Sequence, residues 1–145
     1  MKLKVKKVNP LAVLPKYQTE GSAAFDLHST EECTIQSGDI ATIDTGLIFE
    51  VPEGYYLEIC PRSGLSLKSH IRIANAPGII DSDFRGQVKI IVENLFVKYS
   101  NPYTIVIGQR IAQALLKKVE KAEIIEVDEV TETERGTKGF ASTGY

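Results

Sequence analysis

Residues 61–69, PRSGLSLKS, place an arginine, a hydroxyl and a glycine in succession after a predicted strand. Guanidinium, hydroxyl and free backbone N–H groups are donors that bind phosphate oxygens. The segment therefore predicts a phosphate loop formed by Arg62, Ser63 and Gly64. The alternative is a turn that ends the strand and leaves a surface arginine, and this stretch alone does not exclude it.

Residues 78–90, GIIDSDFRGQVKI, carry two carboxylates, an aromatic ring and an arginine at the turn of a predicted β-hairpin. A carboxylate on a rigid turn can act as a general base toward water. An ordinary polar turn is the alternative, because Asp and Ser favour turns through local hydrogen bonds. The segment itself does not choose between Asp81 and Asp83 as the base.

The C-terminal residues 135–145, RGTKGFASTGY, are mainly glycines and small hydroxyl residues, which cannot bury apolar surface or hold a regular element. Their amides and hydroxyls can surround an anion, Arg135 adds a fixed charge, and Phe140 can cover a flat ring. A disordered terminus without a ligand is the alternative. The coincidence of three such segments in one small chain favours a functional site.

Composition limits what these segments belong to. The chain has 145 residues, of which 43% are hydrophobic and 25% charged, so it fits one globular domain with a substantial core. Its net charge of −2 argues against a protein that coats nucleic acid, which would be strongly basic. We expect one domain over residues 1–130, a flexible C-terminal arm over residues 131–145, and no nucleic-acid partner.

Residues 1–15 contain neither a long apolar stretch nor a cleavage site, so they predict no signal peptide and no membrane anchor. The expected location is therefore cytoplasmic. In a reducing compartment Cys33 and Cys60 are expected to be buried apolar residues. His28 and His70 lack the spacing of metal ligands, so we expect no transition metal bound by side chains.

The elements that must position the three segments are mostly strands. Residues 2–6 alternate lysines with Leu3 and Val5, the period-two pattern of a strand with one exposed face. Apolar runs between turn-forming residues predict further strands at 34–36, 40–51, 55–60, 71–74, 87–94, 103–107 and 122–130. Such spacing predicts an all-β sandwich or barrel. Residues 108–122 are the exception, because Ile111, Leu115 and Val119 recur at helical spacing.

Five segments together resemble the motifs of the trimeric dUTP pyrophosphatases, or dUTPases, in the order of that family. They are AAFDL (23–27), PRSGL (61–65), GIIDSDFRG (78–86), GQRIAQ (108–113) and RGTKGFASTG (135–144). The resemblance implies a jelly-roll-like subunit and a homotrimer whose active sites lie at subunit interfaces, with the arm closing over a neighbour's site. It also implies that GQRIAQALL is a strand. We follow the resemblance there, because tertiary context overrides propensity.

The resemblance implies hydrolysis of dUTP to dUMP and pyrophosphate by water attack on the α-phosphorus, which keeps uracil out of DNA and supplies dUMP for thymidylate synthesis. It selects Asp81 as the general base for that water. The resemblance implies that the Phe84 ring stacks on the deoxyribose, where the 2′-hydroxyl of a ribose would clash with the ring. Uracil recognition falls to Asn75 and to backbone groups of the segment that begins at Gly78, so a thymine methyl or a cytosine amino group is rejected.

The resemblance also assigns the triphosphate and its metal. The phosphate contacts come from the phosphate loop, Gln113 and the arm, in which Arg135, Ser142 and Thr143 match positions that bind the γ-phosphate. Phe140 matches the aromatic residue that covers uracil. The implied metal is Mg²⁺, held mainly by the triphosphate and water, with Asp26 contacting the water shell. Its charge would favour pyrophosphate as the leaving group.

The chain departs from the family pattern at four positions. Ala24, Lys138 and Ala141 stand where glycines are usual, and Gln109 where an acidic residue is usual. We interpret Arg85 and Arg110 as structural residues that hold loops, and Asp83 as a turn residue.

Three other functions are weighed against dUTP hydrolysis. A deoxycytidine triphosphate deaminase shares the fold, but its pattern has a serine at Gly64 and a catalytic glutamate not evident in this chain. A non-catalytic nucleotide sensor could keep the pocket, although the intact Asp81 argues against it. A purely structural β module does not account for five site motifs.

Overall fold

The computed structural model describes residues 1–95 and 101–139, in which eleven strands and one short helix occur. They are β1 (Lys4–Lys7), β2 (Phe25–His28), β3 (Cys33–Ile35), β4 (Ile40–Asp44), β5 (Leu47–Glu50), β6 (Tyr55–Cys60), α1 (Ser63–Lys68), β7 (Ile71–Ile73), β8 (Gly78–Ile80), β9 (Lys89–Asn94), β10 (Tyr103–Ile105) and β11 (Arg110–Lys118). No helix in the described ranges is long and apolar enough to cross a membrane.

The strands form four antiparallel sheets around one core. A four-stranded sheet has the order β2-β11-β6-β8, a three-stranded sheet has the order β4-β9-β7, and two pairs are β1-β5 and β10-β3. In most strands alternate residues point inward, as the period of two predicts, and the core includes Leu27, Ile43, Phe49, Leu57, Ile90 and Ile111. In the described part no sheet closes into a barrel. The prediction of an all-β, jelly-roll-like subunit is confirmed.

Strand β11 lies inside its sheet, although its apolar spacing is helical. It pairs with β2 on one side and with β6 on the other, so both of its edges make backbone hydrogen bonds. A helix at this position would leave the facing edges of β2 and β6 unpaired, which is costly for buried backbone groups. Residues Ile111, Ala112 and Ala114 are buried there. The strand that the resemblance implied is therefore present, and the helix that periodicity indicated is wrong.

The β-hairpin predicted for residues 78–90 is wrong. Strand β8 pairs with β6 in the four-stranded sheet, whereas β9 pairs with β4 and β7 in the three-stranded sheet. The chain between them therefore passes from one sheet to the other. Two apolar runs joined by a polar turn are typical of a hairpin, but local sequence does not specify which edge each strand meets.

The strand predicted for residues 122–130 is also wrong. The chain has no strand there, and its apolar side chains are exposed, with Ile124 at 96% and Val130 at 84%. A strand needs a partner edge for its backbone N–H and C=O groups, and one copy of the chain offers none to this segment. The two cysteines also differ from expectation, because Cys33 and Cys60 are half-buried instead of buried.

The predicted strand 40–51 is divided at Gly46 into β4 and β5. Gly46 has a φ of +65°, and a Cβ placed there would lie 2.7 Å from Asn9 Cβ and 2.8 Å from Ala12 Cβ. Both the left-handed backbone and the close approach of these side chains therefore require glycine.

We expect Gly46→Ala to lower the free energy of unfolding by about 2–5 kcal/mol, since it adds left-handed strain to overpacking. The measurement is chemical denaturation. Gly54→Ala is the matched control, because Gly54 has a φ of +77° but nothing lies within 4 Å of its added Cβ. It should cost only the backbone strain of about 1–2 kcal/mol. Equal losses in the two variants would contradict the steric explanation.

Candidate active site

The most buried charged group of the candidate site is the carboxylate of Asp26 on β2. Arg62 Nε donates to Asp26 Oδ1 at 2.6 Å, and Arg110 Nη1 donates to Asp26 Oδ2 at 3.3 Å. Arg62 Nη1 also donates to the Arg110 carbonyl at 3.4 Å. These three residues, the Asp26 cluster, tie β2, the phosphate loop and β11 together. Arg110 therefore makes contacts that fit its interpretation as a structural residue that holds loops.

The phosphate loop begins helix α1. Arg62 is the N-cap residue with extended φ and ψ of −97° and 128°, and Ser63 and Gly64 form the first turn. Both are exposed, and nothing lies within 4 Å of the position that a Cβ on Gly64 would take. The first N–H groups of a helix have no partner inside it. The loop can therefore offer backbone donors and the Ser63 hydroxyl to an anion.

Beside the loop lies an open cavity of about 360 Å³. Its described lining has three cationic side chains and no carboxylate: Arg62, Gly64, Leu65, Lys68, Ser69, Tyr103, Gln109 and Arg110. Such a lining attracts anions. Lys68 and Tyr103 were not among the residues predicted for the site. Lys68 could have been predicted, because it lies on the same short segment as Arg62.

Gln109, which departs from the family pattern, makes two side-chain hydrogen bonds at this cavity. Its Nε2 donates to the Tyr103 hydroxyl at 2.8 Å, and its Oε1 accepts from the Val106 N–H at 3.1 Å. A carboxylate could accept from the Val106 N–H and from the Tyr103 hydroxyl, but it would carry a negative charge. The glutamine therefore suits this pair of contacts and adds no negative charge to the cavity.

Gln113 lies on β11 opposite Asp26 on one side and Cys60 on the other. Its Nε2 donates to the Pro61 carbonyl at 2.8 Å. One N–H and the amide oxygen remain for another partner. Gln113 is therefore adjacent to the phosphate loop, and its contact with phosphate stays a prediction.

Asn75 and Gly78 line a second, narrow cavity of about 40 Å³ between β6 and β7. A Cβ on Gly78 would lie 3.3 Å from both Asn75 Nδ2 and Ile59 Cβ, so glycine permits the close approach of the asparagine. The cavity is only slightly larger than one water molecule's share of liquid volume. By itself it does not hold a nucleobase.

Residues 81–86, the Asp81 turn, follow β8. The Phe84 N–H donates to the Asp81 carbonyl at 3.2 Å, and Arg85 Nη1 donates to the Ser82 and Phe84 carbonyls at 2.6 and 2.9 Å. Arg85 therefore holds the turn from within. A Cβ on Gly86 would lie 2.5 Å from Phe84 Cζ, so the phenyl ring lies directly over the glycine.

The Asp81 side chain is exposed, and no described residue forms a hydrogen bond or ion pair with its carboxylate. Two sets of the predicted site residues line different cavities of one copy. Asn75 and Gly78 line one cavity, Arg62 and Gly64 another. One copy therefore presents two separate parts of the predicted site.

His28 lies next to the Asp26 cluster, and its Nδ1 is buried without a hydrogen-bond partner among the described residues. Burial lowers the pKa of His28. The carboxylate of Asp26 opposes this shift, and the guanidinium groups of Arg110 and Arg62 add to it. The imidazole is therefore neutral near pH 7 and adds no charge to the cluster.

The described part of the C-terminal arm contains local turns. Arg135 Nε donates to the Lys138 carbonyl at 2.9 Å, and the Gly136 N–H donates to the Thr133 carbonyl at 3.0 Å. Both residues are exposed. The other predicted arm residues, Phe140, Ser142 and Thr143, lie outside the described residues.

We expect Asp26→Asn to lower the free energy of unfolding by about 1–3 kcal/mol, because it leaves the largely buried guanidinium of Arg62 without its carboxylate. The Asp26 and Arg62 side chains are only 11% and 22% exposed. Lys4→Met is the control, since Lys4 and Glu50 are also 2.6 Å apart but 70% and 50% exposed. It should leave the unfolding free energy nearly unchanged. Equal effects in chemical denaturation would contradict the role of burial.

The chain is similar to known proteins over nearly its whole length. The family model described as dUTPase matches residues 11–144. The deoxyuridine 5′-triphosphate nucleotidohydrolase of Nautilia profundicola is 50% identical over 145 residues, covering 99% of both chains. That of Helicobacter pylori is 44% identical over 144 residues, covering 99% of this chain and 97% of the relative. The Staphylococcus bacteriophage 80alpha dUTPase, solved with dUPNHPP, superposes with a TM-score of 0.92 at 28% identity and 99% coverage of both chains. The chain therefore belongs to the dUTPase family.

Proposed function

We propose that this chain hydrolyses dUTP to dUMP and pyrophosphate. The observation that carries the proposal is the match of the dUTPase family model over residues 11–144, which include all five motifs. The curated relatives named above are nucleotidohydrolases of deoxyuridine 5′-triphosphate, and they align over 99% and 97% of their length. The cationic cavity beside the phosphate loop supports a polyphosphate substrate, since its described lining has no carboxylate to repel one.

In this proposal Asp81 accepts a proton from the water that attacks the α-phosphorus. Its carboxylate is exposed and has no partner among residues 1–95 and 101–139, so it is available to a water and a substrate. Phe84 supplies the wall against the deoxyribose, and its ring is fixed over Gly86. Asn75 and the backbone that begins at Gly78 bind the uracil edge.

The phosphate contacts are proposed for Ser63, Gly64, Arg62 and Gln113. Ser63 and Gly64 are exposed at the start of α1. Arg62 donates one N–H to Asp26, and Gln113 donates one N–H to the Pro61 carbonyl. Their remaining N–H groups are enough for phosphate oxygens. Arg135, Phe140, Ser142 and Thr143 are proposed to complete the site from the arm.

A homotrimer is proposed as the active form, with residues 1–130 as the β domain and residues 131–145 as the arm. Two features support it. The predicted uracil-binding residues Asn75 and Gly78 line one cavity of a single copy and the phosphate loop lines another, which favours a site completed by a second copy. The segment after β11 also exposes Ile124, Ile125, Val127 and Val130, which favours burial against another chain.

Mg²⁺ is proposed as the metal that accompanies the triphosphate. Among residues 1–95 and 101–139, no group of three or more His, Cys, Asp or Glu side chains could hold a metal ion. Both oxygens of Asp26 accept from arginines. This donor set fits an ion held by phosphate oxygens and water, with Asp26 contacting it only through water. When bound, the ion would offset negative charge on the phosphates. The cytoplasmic location stays a prediction from residues 1–15.

The test is a substrate panel in which each deoxynucleoside triphosphate is supplied with Mg²⁺, and pyrophosphate and ammonia are measured. Pyrophosphate from dUTP alone is the expected result. Ammonia from dCTP would favour a deaminase, and tight binding of dUTP without turnover would favour a nucleotide sensor. Either result would overturn the proposal.

A further inference from the structure

Helix α1 carries the start of the phosphate loop but has little apolar anchoring. It is six residues long, none of them is buried, and only Leu65 packs partly against the core. Leu67 is 85% exposed. A short helix without a buried face gains little stability from packing. Its position must therefore depend on polar contacts at its two ends.

The first end is held by the Arg62–Asp26 ion pair described above, and the second by Arg72. Arg72 Nη1 donates to the Ser66 carbonyl at 3.2 Å, the Ser69 carbonyl at 3.4 Å and the Ile71 carbonyl at 2.9 Å. The last carbonyls of a helix lack partners within it and carry negative partial charge, which a cation stabilises. One guanidinium thus binds the C-terminal end of α1 and its link to β7.

Arg72 is itself held in place. It lies on β7 between Ile71 and Ile73, which are buried, and β7 pairs with β9 in the three-stranded sheet. Arg72 therefore links the packed strand β7 to helix α1, which lacks a buried face of its own.

We propose that Arg72 is a positioning residue for the phosphate loop, acting through α1 to fix Ser63 and Gly64 for the terminal phosphates of the substrate. This inference rests on the proposed dUTP hydrolysis. The alternative is direct contact with an anion, because Arg72 also lines a cavity of about 590 Å³ with Lys68 and His70. The three carbonyl contacts favour the indirect role.

The test compares Arg72→Met, which keeps the length but has no donor, with Arg72→Lys, which keeps a cation for the carbonyls. Steady-state kinetics with dUTP and Mg²⁺ should show Arg72→Met raising KM by about 10-fold or more while kcat stays within about threefold, the signature of lost uniform binding. Pyrophosphate inhibition should weaken in proportion, whereas inhibition by dUMP, which lacks the terminal phosphates, should stay within about twofold. Arg72→Lys should recover most of the loss.

Hydrogen exchange of the α1 amides without ligand separates the two roles. Positioning predicts faster exchange in Arg72→Met than in the unchanged protein, even if the protein hydrolyses no dUTP, so failure of the proposed function is distinguishable. Unchanged exchange with weaker pyrophosphate binding would assign direct contact and overturn the proposal. Unchanged KM and pyrophosphate inhibition, or equal losses for dUMP and dUTP, would also overturn it. If Arg72→Met does not fold, Arg72→Gln is measured in the same way.

Discussion

Asp81→Asn is expected to lower the turnover of dUTP by at least about 100-fold while its binding stays nearly unchanged. Asparagine keeps the shape and one oxygen of the side chain, but it cannot accept a proton from water at neutral pH. The Asp81 side chain is exposed and has no partner among the described residues, so its loss should not disturb the fold. The measurements are kcat from pyrophosphate release and the Kd of dUTP.

Asp83→Asn is the matched control for this experiment. Asp83 is an exposed carboxylate two residues away on the same turn, and the resemblance gives it no chemical role. Its substitution should leave kcat within about threefold, since surface changes of this kind are usually small. A normal kcat in Asp81→Asn, or an equal loss in the two variants, would remove Asp81 from the role of general base.

Removal of residues 135–145 is expected to lower kcat/KM for dUTP by about 100-fold, because the arm is assigned to closing the site over the triphosphate. The oligomeric state and the melting temperature should not change. The Arg135 and Gly136 contacts are confined to neighbouring residues of the arm, and the last fully buried core side chain among the described residues is Ala114, well before the arm. Light scattering and thermal denaturation provide the controls, and an unchanged rate would contradict the proposed role of the arm.

Mixing Asp81→Asn chains with chains that lack residues 135–145 tests whether Asp81 and the arm of one site come from different copies. If a complete site takes Asp81 and the arm from different copies, hybrids of Asp81→Asn chains with shortened chains contain some intact sites. Denaturing and refolding the mixture should therefore restore turnover that neither parent shows alone. A mixture as inactive as its parents would indicate that one chain supplies both groups.

The sequence predicts the fold class well because strand periodicity is a local property. The alternation of Lys4 with Val5 and the apolar run of β9 both lead directly to observed strands. Pairing is not local, and this is where prediction from the residues failed. The segment 78–90 contributes to two sheets instead of one hairpin, and residues 122–130 have strand-forming residues without a partner. Strand β11 shows the converse, because its two neighbours override a helical pattern.

The chemistry-bearing segments of the site could be predicted, but their mutual contacts could not. Arg62 and Asp26 are 36 residues apart, and Arg110 and Asp26 are 84 apart, so no sequence pattern reveals this cluster. The glycines gave a usable signal. The Phe84 ring occupies the space that a Cβ would take at position 86, so glycine is favoured there. The Asn75 side chain restricts position 78 in the same way. Helix α1 was missed, since six residues with no buried side chain leave no periodic pattern.

The division of the candidate site between two cavities affects how the amount of protein relates to its output. In a single chain Asn75 and Gly78 line one cavity and the phosphate loop lines the other, so under the proposed assembly a newly synthesised chain is inert until it meets its copies. The fraction of assembled chains falls as a protein is diluted. Halving expression near the assembly threshold would then remove more than half of the hydrolysis, and the enzyme would respond to gene dosage more steeply than in proportion.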